Sequence, residues 1–380
     1  MSDTVLLTGA TGFVGRELLW RLAREPGQKI VCFIRAEDEG HATARLNEVL
    51  EAAHTKPLSE EERSRVVAVH ADLTRERFGL SAGRWDELAA TVTRILHGAA
   101  SVDWTLSLAE AQRINVEGTR RILELAEAAS SRRILQRFDY VSTCYVCGKR
   151  RGLILEEDLD GSSGFFNSYE QTKFEAERLV RASGVPFTTF RLSMVVGDSR
   201  TGYASTFKVM YWPLKMISRG LIRVVPGDRG GVVDVVPVDY VCDLIETISA
   251  DSGQRGKTFH VAAGPDRSST IGEILVLASR AFKKRAPLVV SPVIFYRMIR
   301  PPLYLVTWGR KRQALKKGRA YVPYAAYGAS FDTTQMRAAI ESKGLSPPPV
   351  NSYFQTLIDY ALASEWGKRR LHRGPAAATE

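Results

Sequence analysis

The stretch "NSYEQTKFEAERL", residues 167 to 179, places Tyr169 and Lys173 four residues apart. On a helix that spacing puts both side chains on one face, one turn from each other. A phenol with an ordinary pKa of about 10 is a poor acid–base group at neutral pH. An ammonium one turn away favours the phenolate, so the spacing predicts a lowered tyrosine pKa. Twenty-six residues before the tyrosine, "YVSTCYV" closes an apolar run. Thr143 there supplies a hydroxyl to orient a reacting oxygen, with Ser142 as its rival. Thr143, Tyr169 and Lys173 together predict proton transfer at a carbonyl or hydroxyl oxygen.

A second constellation predicts what works beside them. "VLLTGATGFVGRELL" reads as strand, glycine turn, then helix, with Gly9, Gly12 and Gly15 three apart. Gly9 permits the tight turn, Gly12 lets backbone approach a pyrophosphate, and Gly15 lets helix pack on strand. The helix start then offers free N–H groups to phosphate. Thr8, Gly9, Thr11, Gly12, Phe13, Val14, Gly15 and Arg16 are the expected contacts of a dinucleotide. Arg35 lies twenty residues past Gly15, at the end of the apolar run Ile30–Ile34. An acid at that place would accept from ribose hydroxyls and repel a 2′-phosphate. A guanidinium suits the phosphate. With Arg16 and Arg45 as neighbours, and with Glu37 and Asp38 following it, Arg35 predicts NADPH rather than NADH.

The remaining cofactor contacts are read from strand ends. In "HADL", Asp72 is expected at the adenine amine and Leu73 against the ring. In "HGAAS", Ala99 and Ala100 are small where backbone passes the cofactor, and His97 is expected to be a packed strand-end histidine. Asn115, in "INVEGT", is expected at a helix bend that supports a proton-relay water. Backbone at Val195 and Val196 is expected at the nicotinamide amide. Tyr169 and Lys173 are expected at the nicotinamide ribose as well.

These residues need a scaffold. Apolar runs at Val5–Leu7, Ile30–Ile34, Val66–Val69, Arg94–Leu96, Phe138–Val141 and Phe187–Phe190 alternate with helical patterns such as Glu17–Arg24, Ala109–Ala128 and Tyr169–Ala182. Strand–helix alternation predicts an α/β fold, a Rossmann doubly wound parallel sheet covered on both faces. After Gly197 the alternation stops. "VVDVVPVDYVCDLIETI" and "KTFHVAA" read as a helix entry and one more strand returning to the sheet. The predicted division is a Rossmann domain of 1–198 plus 234–263, and a smaller, mostly helical substrate cap of 199–233 plus 264–366. The tail 367–380 is expected to be disordered.

The 380 residues, 44% of them hydrophobic, suffice for one large domain or two joined ones. No apolar run precedes the first strand, which argues against a secretory signal. Of the four cysteines, Cys144 and Cys147 form a C-x-x-C inside an apolar run and are read as buried thiols. No His or Cys grouping has zinc spacing, so no metal is expected. A reducing cytoplasm fits this usage. The net charge of +11 is local: residues 280 to 320 hold twelve Lys or Arg and no acid. Within it, 286–319 mixes cations with bulky apolar groups. Arg297, Arg300 and four prolines preclude a spanning helix. The stretch reads as the lining of a tunnel for a long acyl chain with cations for a carrier's phosphates, as a segment lying beside anionic lipid at the inner face of a membrane, or as a plain cap with a solvated basic face. Nucleic acid is not expected, because no recognised module surrounds it.

The quoted stretches, with "CFIRAEDEGHATARL", "ILHGAASVDW" and "VVGDSRTG", resemble the extended short-chain dehydrogenase/reductase superfamily over residues 3 to 265. The finer likeness is to its fatty acyl reductases and thioester reductase domains, with their male-sterility-type NAD-binding domain. The resemblance implies reduction of an acyl-CoA or acyl-carrier-protein thioester by NADPH to aldehyde or alcohol, a lipid-metabolic activity. Thr143 and Tyr169 would donate to the developing oxyanion. No adenylation or carrier domain is read in the chain, so the thioester would arrive ready-made. Leu192 and Ser193 stand where the family has a proline-containing turn, and 266–380 matches only loosely. Rival readings are a sterol or 3β-hydroxysteroid dehydrogenase, a nucleotide-sugar epimerase, and a non-enzymatic NADPH sensor.

Overall fold

The computed structural model describes residues 3–52, 57–369 and 371. Its centre is a seven-stranded, wholly parallel sheet. The strands are β1 (Asp3–Thr8), β2 (Gln28–Ile34), β3 (Val66–His70), β4 (Arg94–His97), β5 (Arg137–Thr143), β6 (Phe187–Leu192) and β7 (Thr258–Val261). Their spatial order is β7-β6-β5-β4-β1-β2-β3. Each expected core strand is present, longer by one to three residues. The strands are near-continuous apolar runs because helices cover both faces. On one face, helices Phe13–Arg24, Glu39–Glu51 and Val238–Ala250 bury residues such as Leu18, Leu46 and Ile245. On the other, Ala82–Thr91, Leu108–Ser131 and Ser168–Ala182 bury Leu88, Ile122 and Val180.

Strand order reverses at β1, which pairs with β2 on one side and β4 on the other. In such a sheet the crevice for ligands opens beyond the carboxyl ends at that point. Register brings those ends level: Thr8 pairs with His97, His97 with Tyr140, and Thr143 with Leu192. The glycine turn, Arg35, Asp72, Ala99 and Thr143 therefore leave the sheet at one edge.

The two separated stretches expected to form the cap are joined by short strand pairs. Val224–Pro226 pairs in parallel with Leu288–Val290, and Val232–Val233 pairs antiparallel with Ser269–Thr270. Helix Tyr211–Ser218 packs on Ile271–Phe282, which also meets Val350–Ala363. Residues 329–340 fall in the stretch expected for the cap but lie on the sheet domain. Strand Ala329–Phe331 pairs with Gly152–Ile154, and Met336 and Ile340 enter the core beside Tyr240 and Val241. Two apolar anchors one turn apart were the signal, hidden by the proline-rich sequence around them. Of the expected tail 367–380, residue 370 and residues 372–380 lie outside the described residues.

Candidate active site

The glycine turn has the shape its spacing demands. Gly9 has φ +82°, and a Cβ there would lie 2.8 Å from the Ala99 nitrogen. A Cβ on Gly15 would lie 2.1 Å from the Gly9 carbonyl oxygen, so the helix starts against the turn itself. Gly12 is exposed and caps helix Phe13–Arg24 without any side-chain cap bond. The first-turn amides are thus left to a ligand, which is the fit a pyrophosphate requires. Thr11 and Arg16 flank the turn, where Arg16 Nε donates to the Thr11 carbonyl at 3.4 Å. Phe13 and Val14 pack on the sheet core. Thr8 is fully buried, its hydroxyl held by His97 Nδ1 at 2.7 Å and by the Ala99 amide at 3.2 Å. Its side chain faces the core, and the glycine turn begins beyond it.

At the far end of the crevice Arg35 is exposed just past β2, and Arg45 donates to its carbonyl. Asp72 accepts from the Thr74 amide at 2.9 Å and hydroxyl at 2.8 Å. Burial favours its neutral acid, but the Thr74 bonds and then the Arg35 and Arg113 charges win, and hold it below the usual carboxylate range. Leu73 packs on Gly118, where a Cβ would meet its side chain at 3.3 Å. Ala99 and Ala100 are half-buried, whereas Gly98 is the residue pressed against Gly9.

Asn167 caps helix Ser168–Ala182 by accepting the Glu170 amide, which sets Tyr169 in the first turn. Thr143 lies near enough to the Tyr169 phenol to favour its ionised form, while its hydroxyl donates to the Leu192 carbonyl at 3.2 Å. Ser142 is committed elsewhere: it donates to buried Glu177 at 2.7 Å. Of the two hydroxyls, Thr143 is the one beside the Tyr169 phenol. Lys173 departs from expectation. Its ammonium turns to β5, donating to the Tyr140 hydroxyl at 2.7 Å and the Val141 carbonyl at 2.8 Å. Burial lowers its pKa to about 7. Burial likewise pushes Tyr169 up to about 12, only partly offset by Thr143. The predicted lowering of the tyrosine pKa is thus reversed: helical spacing aligns the two side chains, but β5 competes for the ammonium.

Beneath this pair run two buried polar networks. Glu177 takes the Arg191 guanidinium at 2.8 Å, with both side chains fully buried, and Arg191 also donates to the Asp158 carbonyl. The second links Lys173 to Tyr140, and His97 to Thr119 at 3.1 Å and to Thr8. Burial first, then Lys173, lowers His97 to about 3, so it is neutral and packed. Asn115 does not bend its helix, which continues unbroken from Leu108 to Ser131. Its amide instead accepts from the Ser101 amide at 2.8 Å and donates to Thr172 at 3.0 Å, pinning the loop after β4 to the Tyr169 helix. Val195 and Val196 form a short strand with Met194, paired with Val235–Pro237. Val196 is buried and Val195 half-buried. Cys144 and Cys147 are free buried thiols in a short helical turn, not a strand.

Tyr169 opens into a cavity of about 730 Å³ between sheet domain and cap. The volume is within the range of small-molecule sites. Its walls include Met194, Leu214, Ile274, Phe295, Ile299 and Leu303. Two polar groups there were not foreseen. Glu170, fully buried, accepts from the Phe166 amide at 2.9 Å and from the Tyr324 hydroxyl. A first-turn glutamate after an N-cap asparagine reads as a helix-start acid, which concealed it. Tyr324 belongs to an aromatic cluster with Trp104, Tyr145, Phe166 and Tyr327 that seats the cap over the site. Nothing in the spacing of a segment 150 residues away marks it.

Comparison with known proteins agrees with this architecture. The male sterility protein family matches residues 7–245. The isonitrile lipopeptide synthase of Streptomyces coeruleorubidus is 34% identical over 278 residues, covering 71% of this chain and 18% of that protein. The large subunit of L-2-aminoadipate reductase from Penicillium chrysogenum is 32% identical over 267 residues, covering 64% and 18%. The chain therefore spans a small part of these relatives. The crystal structure of the terminal R domain from the myxalamid PKS-NRPS biosynthetic pathway superposes with a TM-score of 0.82 at 28% identity, covering 97% of this chain and 92% of that one.

Proposed function

The chain belongs to the male sterility protein family, and from that premise we propose that it is an NADPH-dependent reductase of acyl thioesters, carried on coenzyme A or an acyl carrier protein, yielding aldehyde or alcohol. One observation carries the reading: the Tyr169 phenol, with Thr143 beside it, opens into a largely apolar cavity of about 730 Å³, at the carboxyl edge of a sheet that also carries a tight glycine turn. The relative that bears reductase in its name supports the class of reaction.

The bound nicotinamide supplies the hydride. Every other role falls to side chains. With its pKa raised to about 12, Tyr169 keeps its proton at neutral pH, the correct starting state for reduction. It donates to the oxygen on which charge develops, where a placed donor acts most strongly. Thr143 orients it, and joins as a second donor by exchanging its bond to the Leu192 carbonyl. The tetrahedral adduct then collapses to aldehyde and thiol. Lys173 holds ribose hydroxyls from the sheet side, its ammonium anchored by Tyr140. Asp72 and Leu73 serve the adenine. Arg35, with Arg45 beside it and Arg16 at the turn, supports the 2′-phosphate and hence NADPH. The apolar cavity supports an acyl chain over a sugar nucleotide.

The test is reduced-cofactor oxidation with a panel of acyl-CoA and carrier-bound thioesters, aldehydes, sterols and sugar nucleotides, with product analysis. Thioester-dependent oxidation of NADPH, at least tenfold faster than of NADH at equal concentration, is the expected outcome. Turnover of a sterol or sugar nucleotide with none of any thioester would overturn the reading.

A further inference from the structure

The helical hairpin of residues 292–318 is apolar on two sides. From Val293 to Leu305 its inward positions, Phe295, Ile299 and Leu303, line the cavity. Its outward positions are Val293, Ile294, Arg297, Met298, Pro301, Pro302 and Leu305, all exposed. They recur in steps of four, 293-297-301-305 and 294-298-302, and so form one continuous stripe with a single charge. Trp308 ends the stripe, 76% exposed, after Met298 at 70% and Leu305 at 79%. A helix apolar all round is ordinarily a buried one. Six of the eleven large apolar side chains exposed among the described residues fall between 288 and 308. That concentration marks an interaction surface, not scattered surface residues.

Charge decides what covers it. Residues 280 to 320 hold twelve Lys or Arg and no acid. Arg312, Lys316, Lys317 and Arg319 are exposed on the second arm. Arg312 lies 4.1 Å over the Tyr304 ring, which ties the two arms together. A second copy of the chain would oppose two uniformly cationic patches, a like-charge arrangement that disfavours docking. A bilayer surface answers both features. Apolar side chains enter the acyl boundary, tryptophan sits at the interface, and cations meet anionic headgroups. Among the described residues no helix is long and apolar enough to cross a membrane, so the hairpin lies on the surface.

We propose that the 292–318 hairpin docks the protein onto a bilayer carrying anionic lipid. One wall of the substrate cavity is then also the membrane-facing wall, and a long-chain substrate and its product stay beside the phase that dissolves them.

Flotation of the full chain with vesicles of phosphatidylcholine, alone or mixed with phosphatidylglycerol, tests this. Binding is expected to the mixed vesicles, about tenfold weaker to phosphatidylcholine alone, and reversed by high salt. The triple variant Met298→Glu, Leu305→Glu, Trp308→Glu should lose about tenfold or more of the bound fraction. Lys316→Glu with Lys317→Glu should sharply reduce the preference for phosphatidylglycerol. All five positions are exposed, and an unchanged thermal transition verifies that each variant is folded. Failure of the wild type to float with either vesicle, or equal flotation of the stripe variant, overturns the proposal. So does a wild-type dimer in sedimentation that the stripe variant turns into monomer, which assigns the stripe to a second copy. Flotation needs no turnover, so its failure leaves the thioester reading standing, and the reverse holds too.

Discussion

The two sides of the candidate active site are made by opposite means. Behind Tyr169, on the sheet side, lies a polar layer that is fully committed. Thr143, Ser142, Lys173, Glu177, Arg191 and Asn115 are buried, and each has a named partner. The cavity side is largely apolar and aromatic, with Tyr324 bonded across to Glu170 of the Tyr169 helix, and has side chains exposed on its far side. Hydrogen bonds are directional, so on the proposed reading the polar side fixes where a reacting oxygen and a proton sit. Apolar contact is not directional, so the cavity side sets size and tolerates variety. On the proposed reading, the chemistry is held rigidly and the substrate is selected by volume.

The contrast can be broken most severely at the phenol. Tyr169→Phe should cut turnover by about 10²- to 10⁴-fold while leaving cofactor affinity within a few-fold. Near-normal turnover, or equal loss of cofactor binding, would remove the assignment. Next is the floor of the polar layer. Glu177→Ala leaves the Arg191 charge buried without its carboxylate and should cost about 3–5 kcal/mol of stability, measured by denaturant unfolding. A loss below about 1 kcal/mol would show that the layer is not preorganised by this pair.

Smaller effects sharpen the comparison from the cap side. Ile274→Trp places bulk in the cavity and should lower kcat/KM for long-chain thioesters by about tenfold, while short-chain thioesters change little. Equal losses across chain lengths would deny the cavity its acyl chain. The smallest effect concerns Lys173. Its folded-state pKa, about 7, lies below the ordinary lysine value of 10.5. Between those values the unfolded chain binds a proton that the folded one does not, so stability of the cofactor-free protein rises with pH there. Lys173→Met should flatten the rise. Melting temperatures of both proteins across pH 7 to 9, as a difference in slope, check it; parallel slopes would refute it.

What was legible in the sequence follows the reach of each interaction. The strands and the glycine turn depend on neighbours along the chain, and both were readable. Glu170 was visible but passed for a helix-start acid. The Ser142–Thr143 alternative stayed open until Glu177 claimed the serine. Tyr140 and Tyr324 had no signal, because their partners Lys173 and Glu170 lie 33 and 154 residues away.

Local spacing alone determined that this chain winds a parallel sheet, makes a tight glycine turn at a helix start and sets a tyrosine one helical turn before a lysine, since covalent geometry and periodicity dictate all three. Only the tertiary structure decided how those groups ionise and what they enclose. Burial and non-local partners turned Lys173 toward β5, raised the Tyr169 pKa instead of lowering it, and folded one basic apolar stretch into both a cavity wall and an outer face.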